Sequence, residues 1–210
     1  MDRKEFKEIL LNNLKEININ ITDDKINLFY EYMNLLLLWN KKVNLTAITE
    51  EKDIIIKHFI DSISINRYIN NKSIVMDMGT GAGFPGIPLK IINDKAKFVL
   101  VDSLNKRINF LEEVKKELKL ENLELIHSRA EDLAKNKDYR ENVDIVVSRA
   151  VANLQVLVEY IIPFVKIGGV CICMKGPNIK EEIENSKNAI ETLGGKIEKI
   201  ENLLLDNNKM

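Results

Sequence analysis

The residues whose types and spacing could do chemistry are concentrated between positions 74 and 86. A short apolar run ends in Asp77 and is followed at once by four of the nine glycines of the chain, Gly79, Gly81, Gly83 and Gly86. Glycine carries no Cβ, so the backbone can take positive φ and a ligand can approach the main chain closely. A strand, a glycine-rich turn and a helix in this order predict a nucleotide or nucleoside site at the carboxyl end of a sheet.

Two ligands fit this spacing. The last three glycines match G-x-G-x-x-G, and Asp102 lies about 20 residues after Gly81, where a dinucleotide fold keeps the acid that binds a ribose. An acid directly before the glycines is instead typical of methyltransferases that use S-adenosylmethionine. Asp77 could serve the ammonium of that donor, and Asp102 could accept from both ribose hydroxyls. Pro85 also stands where a dinucleotide helix would make its first turn, so the pattern favours the methyl donor over NAD, with a turn that binds nothing as the third reading.

Composition limits the class of protein. The 210-residue chain has 31 Lys and Arg residues against 32 Asp and Glu, a net charge of −1. A domain that binds nucleic acid on its own is usually strongly basic, so an RNA substrate would require a local basic patch or a partner already bound to the RNA. No apolar run has the length of a bilayer span, and residues 1–15 are charged rather than signal-like. We expect a cytoplasmic protein that does not contact membranes.

The elements that would position the glycine loop fall into two parts, the first being a helical cap over residues 1–70. Apolar residues at helical spacing give one face to each of two helices: Phe6, Ile9, Leu10 and Leu14, then Ile26, Phe29, Tyr30, Met33, Leu36 and Leu37. Thr22 is the predicted N-cap of the second helix. Thr49 is the predicted N-cap of a third, which would run to about Tyr68.

Residues 71–210 alternate between strand and helix patterns and form the second part, the methyltransferase domain. Short β-branched runs recur about every 20 residues, as the crossovers of a parallel sheet require. The predicted strands are 74–78, 97–101, 123–126, 143–148 and 169–174, and the predicted helices are 86–92, 105–118, 130–136, 153–166 and 178–193. These patterns predict an α/β fold with a doubly wound, mostly parallel, Rossmann-like sheet behind the helical cap, and one further strand near 196–205.

Five segments occur in an order that resembles a known family. They are Trp-Asn-Lys-Lys-Val-Asn-Leu-Thr at 39–46, Lys-His-Phe-Ile-Asp-Ser at 57–62, the glycine segment at 77–89, Asp-Ser-Leu-Asn-Lys-Arg at 102–107 and Ser-Arg-Ala-Val-Ala at 148–152. Over residues 30–176 the chain is similar to the bacterial methyltransferase G of small-subunit ribosomal RNA, also called glucose-inhibited division protein B. The resemblance implies transfer of a methyl group from S-adenosylmethionine to N7 of one guanine near the decoding site of 16S rRNA. The expected partner is 16S rRNA within the small ribosomal subunit or its precursor, and the expected state is a monomer.

The family's chains run some tens of residues further, through a last pair of strands with a basic tail. We therefore expect the C-terminal strand pair to be incomplete here. This departure keeps a second hypothesis open, in which the protein binds the donor but acts as an assembly or RNA-contact factor of the small subunit.

Residue types and resemblance together give a set of candidate site residues. The expected donor-binding residues are Asp77, Gly79, Thr80, Gly81, Gly83 and Phe84 in the glycine loop, Asp102 and Ser103 after the second strand, Ala130 and Glu131 after the third, and Arg149 after the fourth. The resemblance supplies Gly79, Phe84, Ala130, Glu131 and Arg149. Each lies where the strand pattern independently predicts a carboxyl strand end.

The expected chemistry does not involve a general base. N7 of guanine has a free lone pair and no proton, so the enzyme mainly has to align nucleophile and methyl group. The Asn/Asp-Pro-Pro-Tyr segment typical of exocyclic amine methylation is absent, and Ser148-Arg149-Ala150-Val151 stands in its place. Arg149 is the expected catalytic residue, since its guanidinium can pair with a carboxylate or stack on a ring near the target base.

Each assignment has a structural alternative. Arg149 could be an ion-pair partner, Asp77 could only tie down the glycine loop, and Phe84 could be a packing residue beneath it. His58, although tempting as a base, is more often a satisfied structural histidine in such a setting, and no residues show metal-ligand spacing.

Two further groups of residues have competing interpretations. Cys171 and Cys173 could suggest covalent cytosine methylation, but an apolar strand explains them as small buried residues that face one side and form no disulfide. The basic residues near the predicted strand ends could contact RNA phosphates; they are Lys41, Lys42, Lys106, Arg107, Arg129, Arg149 and Lys175. Trp39 is expected to pin the cap to the sheet domain.

Overall fold

The N-terminal part of the chain is helical, as predicted. The computed structural model describes residues 1–177 and 179–203. Helix α1 spans Arg3–Glu16 and α2 spans Asp23–Val43. The Thr22 hydroxyl accepts a hydrogen bond from the backbone N–H of Lys25, so the predicted N-cap of α2 is confirmed.

The third helical segment differs from the prediction. Helix α3 is a single turn, Glu51–Asp53, that begins after Glu50, so Thr49 is not its N-cap. The chain continues as a π-helix over Ile54–Ile60, as α4 over Asp61–Ile63, and as a separate 3-10 turn at Asn66–Tyr68. Short π-helical stretches occur frequently at functional sites, because the wider turn redirects side chains and carbonyl groups.

The remainder of the fold is a five-stranded sheet covered by helices. Its strands are β1 (Ile74–Met78), β2 (Lys97–Asp102), β3 (Leu123–His127), β4 (Val143–Arg149) and β5 (Val165–Met174), in the spatial order β3-β2-β1-β4-β5, and all four pairings are parallel. The helices between and after them are α5 (Gly86–Ile92), α6 (Asn105–Glu117), α7 (Ala130–Leu133), α8 (Leu154–Ile161) and α9 (Lys180–Thr192). The predicted doubly wound α/β fold is confirmed.

Two predicted boundaries are wrong, and one predicted strand is not formed over its described residues. The helix predicted at 153–166 ends at Ile161, is followed by a 3-10 turn at Ile162–Phe164, and gives way to β5 at position 165 rather than 169. Pro163 explains the early end, because proline has no N–H to continue the helix. Helix α7 has one turn instead of the predicted 130–136. The strand predicted near 196–205 is not formed at 196–203, and its last two positions lie outside the described residues, as does the predicted helix start at 178.

Two apolar clusters cover the two faces of the sheet. One joins the cap to β1, β2, α5 and α6, with Phe29 and Phe59 of the cap fully buried, and the other packs α8 and α9 on the opposite face. Burial of each such phenylalanine stabilises the fold by about 1.5 to 3 kcal/mol. Trp39 contacts Phe110 of α6, with ring centroids 5.6 Å apart, so it pins the cap as predicted. The division of the chain at residue 70 stays a prediction, and no described helix is long and apolar enough to cross a membrane.

Candidate functional site

The candidate site lies at the carboxyl edge of the sheet. Strand β1 is central, with β2 and β3 on one side and β4 and β5 on the other, so the chain reverses its direction of winding between β1 and β4. This reversal is a topological switch point, where open α/β sheets bind their ligands. The carboxyl ends of β1, β2 and β4, the loops that follow them and the start of α7 border it, and together they contain all of the site residues predicted from the sequence.

The glycine loop after β1 uses its glycines for different purposes. Gly79, Gly81 and Gly83 have φ of +72°, +63° and +99°, a region that side-chain-bearing residues rarely adopt. A Cβ on Gly83 would come within 2.7 Å of the Tyr32 hydroxyl oxygen, so the cap packs directly against this glycine. A Cβ on Gly81 would meet no described atom within 4 Å. Gly81 therefore presents its backbone to open space, where a ligand can approach.

Asp77 is fully buried at the end of β1. Its Oδ2 atom accepts hydrogen bonds from the Thr80 hydroxyl at 2.6 Å and from the Gly86 N–H at 2.8 Å, so it ties both ends of the glycine loop. Its Oδ1 atom has no hydrogen-bond partner among the described residues. Burial raises the pKa of this carboxyl to about 7. The structural alternative for Asp77 is thus supported, and one carboxylate oxygen remains to receive a donor.

Asp102 joins the neighbouring loops at the end of β2. Its carboxylate accepts from the Gly81 N–H and the Leu104 N–H, both at 2.9 Å, and from the Arg107 guanidinium at 3.1 Å. Its carbonyl accepts from the Ser128 N–H at 3.1 Å, which ties the loop after β3 to the same point. The carboxylate is 2% exposed and holds the glycine loop at Gly81. Asp102 therefore has a structural role of its own: it holds together the loops after β1, β2 and β3.

The other residues predicted near Asp102 lie on the same edge of the sheet. Ser103 is exposed, and its carbonyl accepts a hydrogen bond from the His127 ring at 3.0 Å. Ala130 and Glu131 form the start of α7, the first buried and the second exposed. The structure thus places these three residues beside Asp102, at the end of β2 and after β3.

Arg149 leaves the end of β4 and reaches the cap. One guanidinium nitrogen, Nη1, donates to Asp61 Oδ2 at 2.7 Å and to the Lys57 carbonyl at 3.0 Å, and Nη2 lies 2.9 Å from His58 Nδ1. The guanidinium carbon is 5.0 Å from the centroid of the Phe84 ring. The ion-pair alternative for Arg149 is therefore supported by Asp61, and the same contacts hold the guanidinium against the glycine loop.

Phe84 and His58 form a stacked pair between the glycine loop and the cap. Their rings are 4.3 Å apart with an interplanar angle of 19°, and Phe84 is only 5% exposed. His58 Nε2 lies 2.8 Å from the Thr46 hydroxyl oxygen. Burial, and after it the charge of Arg149, lowers the pKa of His58 to about 4. This histidine is neutral and bonded at both nitrogens, as the structural interpretation expects.

Three residues that position the site were missed in the sequence. The fully buried Tyr32 donates its hydroxyl proton to the Ala82 carbonyl at 2.5 Å. Thr46 and Asp61 support His58 and Arg149. Tyr32 lies three residues after Phe29, on the face already assigned to the core, and this spacing could have identified it. The resemblance segments contain Thr46 and Asp61, but the partner of Asp61, Arg149, lies 88 residues further along the chain.

Besides Arg149, which pairs with Asp61, two residues of the proposed basic patch have internal partners. Arg107 contacts Asp102, and the Lys175 ammonium pairs with Glu182 at 2.5 Å and donates to the Ala152 carbonyl at 2.6 Å. The side chain of Lys175 is only 15% exposed, so this lysine holds the loop after β4. The exposed members of the patch are Lys41, Lys42, Lys106 and Arg129.

The two cysteines lie side by side in β5. Burial raises the pKa of the Cys171 thiol to about 12 and that of the Cys173 thiol to about 11. Because the thiolate is the nucleophile, these thiols are poorly suited to covalent catalysis. Both pack against the cluster formed with α8 and α9 but are only partly buried, less than predicted, because β5 is an edge strand of the sheet.

Solved structures with a similar fold define the class. A ribosomal protein L11 methylase from Lactobacillus delbrueckii subsp. bulgaricus matches with a TM-score of 0.55 and 16% identity, over 71% of this chain and 74% of that chain. TYW2 of M. jannaschii, solved in complex with AdoMet, matches with a TM-score of 0.52 and 22% identity, over 64% and 63% of the two chains. The fold is therefore the Rossmann-like fold of S-adenosylmethionine-dependent methyltransferases.

Sequence comparison gives the family. The family model of GidB, rRNA small subunit methyltransferase G, matches residues 25–209. Ribosomal RNA small subunit methyltransferase G of Clostridium tetani is 52% identical over 197 residues, covering 93% of this chain and 82% of the relative, and that of Clostridium kluyveri is 54% identical over 198 residues, covering 93% and 84%. The chain belongs to the rRNA small subunit methyltransferase G family, which confirms the resemblance inferred from its motifs.

Proposed function

We propose that this protein transfers a methyl group from S-adenosylmethionine to N7 of a single guanine in the decoding-region loop of 16S rRNA. It acts as a monomer in the cytoplasm, on the small ribosomal subunit or its precursor. The observation that carries the proposal is the convergence of three side chains on the glycine loop in a chain of this family: Asp77 contacts Thr80, Asp102 contacts Gly81, and Arg149 lies over Phe84. The strand ends bring these three side chains to one switch point.

The residues at the switch point fit the methyl donor. The Oδ1 atom of Asp77, which has no hydrogen-bond partner among residues 1–177 and 179–203, is a buried acceptor of the kind that an ammonium satisfies. The Asp102 carboxylate stands beside Gly81, where both ribose hydroxyls could donate to it. Gly81 leaves the space above the loop free of side chains. When bound, the donor supplies an electrophilic methyl group, and these three residues would fix its two polar ends.

The electrostatics of the site support a nucleophile that needs no deprotonation. His58 carries no free lone pair that could take a proton, because both ring nitrogens are engaged. The ionised form of either cysteine is strongly disfavoured by burial. A site with these properties suits N7 of guanine, for which alignment supplies most of the catalysis.

Arg149 is the residue that we assign to the target base. Its guanidinium is held at the rim of the glycine loop by Asp61, His58 and Phe84, so its orientation is set before any substrate binds. A preorganised guanidinium can stack on a base or donate to an acceptor on its edge without further loss of side-chain freedom. The exposed lysines and arginine of the basic patch would add phosphate contacts, which raise affinity without contributing specificity for the RNA sequence.

The proposal is tested with labelled donor and small subunits from cells that lack this protein. The expected result is incorporation of one methyl group at N7 of one guanine, identified by mass spectrometry of the nucleosides. Naked 16S rRNA, assayed in parallel, distinguishes a subunit substrate from free RNA. Donor binding by calorimetry together with an absence of transfer to either substrate would contradict the proposal and favour a donor-binding assembly factor.

A further inference from the structure

His58 makes contacts on three sides, and one of them is with Arg149. Its ring stacks on Phe84, its Nδ1 atom faces Nη2 of Arg149 at 2.9 Å, and its Nε2 atom faces the Thr46 hydroxyl at 2.8 Å. The side chain is 8% exposed. These contacts link three parts of the chain: the loop after α2, the glycine loop after β1 and the carboxyl end of β4.

The chemistry of the partners fixes the tautomer of the ring. A guanidinium has only donors, so Nδ1 must offer its lone pair to Arg149. The single proton of the neutral ring is then on Nε2, where the Thr46 oxygen can accept it. That oxygen also accepts from the Ile48 N–H at 3.1 Å, which orders the loop after α2.

The contacts of Arg149 show what His58 contributes. Asp61 and the Lys57 carbonyl both accept from the same nitrogen of the guanidinium, Nη1. Among the described residues, His58 is the one that holds Nη2. The contact at Nη2 adds an anchor on a second nitrogen to those at Nη1 and to the Phe84 ring, and so completes the orientation of the guanidinium relative to the glycine loop.

We propose that His58 is a positioning residue that acts through Arg149: in its neutral form, with the proton on Nε2, it sets the plane of the guanidinium for methyl transfer. This inference rests on the proposed function, in which Arg149 meets the target base. A protonated ring would instead place a second N–H donor, and a second positive charge, against Nη2.

The charged and titratable groups around the ring are consistent with the neutral form. Arg149 faces it from β4, Asp61 lies beyond the guanidinium on α4, and the Lys57 ammonium is turned away to Asp53 at 2.8 Å. Asp61 is therefore paired with Arg149, and Asp53 with Lys57, rather than with the imidazole. Burial and the charge of Arg149 together lower the pKa of His58 to about 4.

Two substitutions distinguish the contributions of the two ring nitrogens of His58. In His58→Asn the amide oxygen can occupy the position of Nδ1 and accept from Arg149, whereas in His58→Gln the amide reaches the position of Nε2. Both variants lose the ring and its stacking on Phe84, so each is a control for the other. We expect His58→Asn to keep a kcat within about threefold of the wild type and His58→Gln to lose about 10- to 100-fold, the scale of a misplaced reacting group. Thermal unfolding of both variants shows whether they are folded.

The wild-type protein offers a measurement that needs no variant. The chain has only two histidines, so a ¹⁵N spectrum of the imidazoles contains two rings. At pH 7, His58 should show an unprotonated Nδ1 and a protonated Nε2, and kcat should stay flat from pH 8 down to about 5. A proton on Nδ1, a cationic ring at pH 7, or equal losses of kcat in folded His58→Asn and His58→Gln would overturn the proposal. If instead the wild type transfers no methyl group to N7, the proposed function fails, and the ¹⁵N spectrum still decides whether the neutral ring accepts from Arg149.

Discussion

Val151 packs against the backbone of Gly79. A Cβ on Gly79 would come within 2.5 Å of the Val151 Cγ2 atom, closer than real Cβ contacts allow. Gly79 follows β1 and Val151 follows β4, so the contact closes the two loops that border the switch point. Lys175 also restrains the loop after β4, because its ammonium donates to the Ala152 carbonyl and pairs with Glu182. The two loops therefore form one packed unit.

Gly79→Ala should test this contact. The variant combines a positive φ with a collision at Val151, whereas Gly168→Ala, at φ +80° with no described atom within 4 Å, has the positive φ alone. We expect Gly168→Ala to lower the free energy of unfolding by about 1 to 2 kcal/mol and Gly79→Ala to lower it further and to weaken donor binding. Adding Val151→Ala to Gly79→Ala should recover part of the loss. Urea denaturation and calorimetry measure both effects, and equal losses in the two single variants would show that the contact has no role.

Tyr32→Phe should loosen the glycine loop from the cap. The variant removes one oxygen and leaves the buried Ala82 carbonyl without its donor, which costs about 1 to 3 kcal/mol of unfolding free energy. Tyr30→Phe is a matched control on the same helix, since its hydroxyl donates to the Met1 carbonyl at 3.3 Å and not to the glycine loop. Denaturant unfolding should show a loss confined to Tyr32→Phe, accompanied by weaker donor binding. Equal behaviour of the two variants would refute the link between cap and loop.

Asp77 should make stability depend on pH. Burial raises the pKa of its carboxyl from 3.8 to about 7 in the folded protein, so the folded state binds the proton more tightly than the unfolded state. The stabilisation is fully present below pH 3.8 and is lost as the pH rises through 7, by on the order of 1.4 kcal/mol for each unit of pKa difference. Asp77→Asn, which cannot ionise, should therefore gain stability relative to the wild type between pH 5.5 and 8.5.

The same substitution should weaken donor binding, because the ammonium loses its carboxylate partner. Urea denaturation at the two pH values and calorimetry at pH 8.5 measure the two effects. A constant difference in stability between wild type and Asp77→Asn across this range would mean that Asp77 titrates at an ordinary pKa.

Asp102→Ala should weaken donor binding by about 1.5 to 3 kcal/mol, the scale of charge-assisted hydrogen bonds. The ribose hydroxyls would have no carboxylate acceptor at this position, and the Gly81 N–H would lose its acceptor. Arg107→Gln removes the cation that contacts Asp102 but keeps the carboxylate, so it should change the affinity less. Calorimetry with S-adenosylmethionine compares the three proteins. An unchanged affinity in Asp102→Ala would place the ribose elsewhere.

Local sequence patterns predicted the strands better than the boundaries of the helices. The β-branched runs gave all five strands, because a parallel sheet buries both faces of its strands and so requires uninterrupted apolar residues. The boundary between α8 and β5 was misplaced because apolar residues continue through it, and periodicity alone cannot separate a buried helix from a buried strand. Thr49 was chosen as a cap from its type, whereas the helix starts two residues later, at Glu51.

The sequence by itself determined the order of the elements, the glycine loop and the two acids at its borders, since each depends on residues close together along the chain. Only the tertiary structure decided what Arg149 contacts. Asp61 and His58 lie 88 and 91 residues before it, and the fold brings them together where the cap meets the end of β4. Likewise, the sequence left open whether Lys175 contacts RNA, and in the fold it pairs with Glu182. Spacing along the chain predicts which strand end carries a residue, but its partners come from segments whose approach is set by the packing of the whole core.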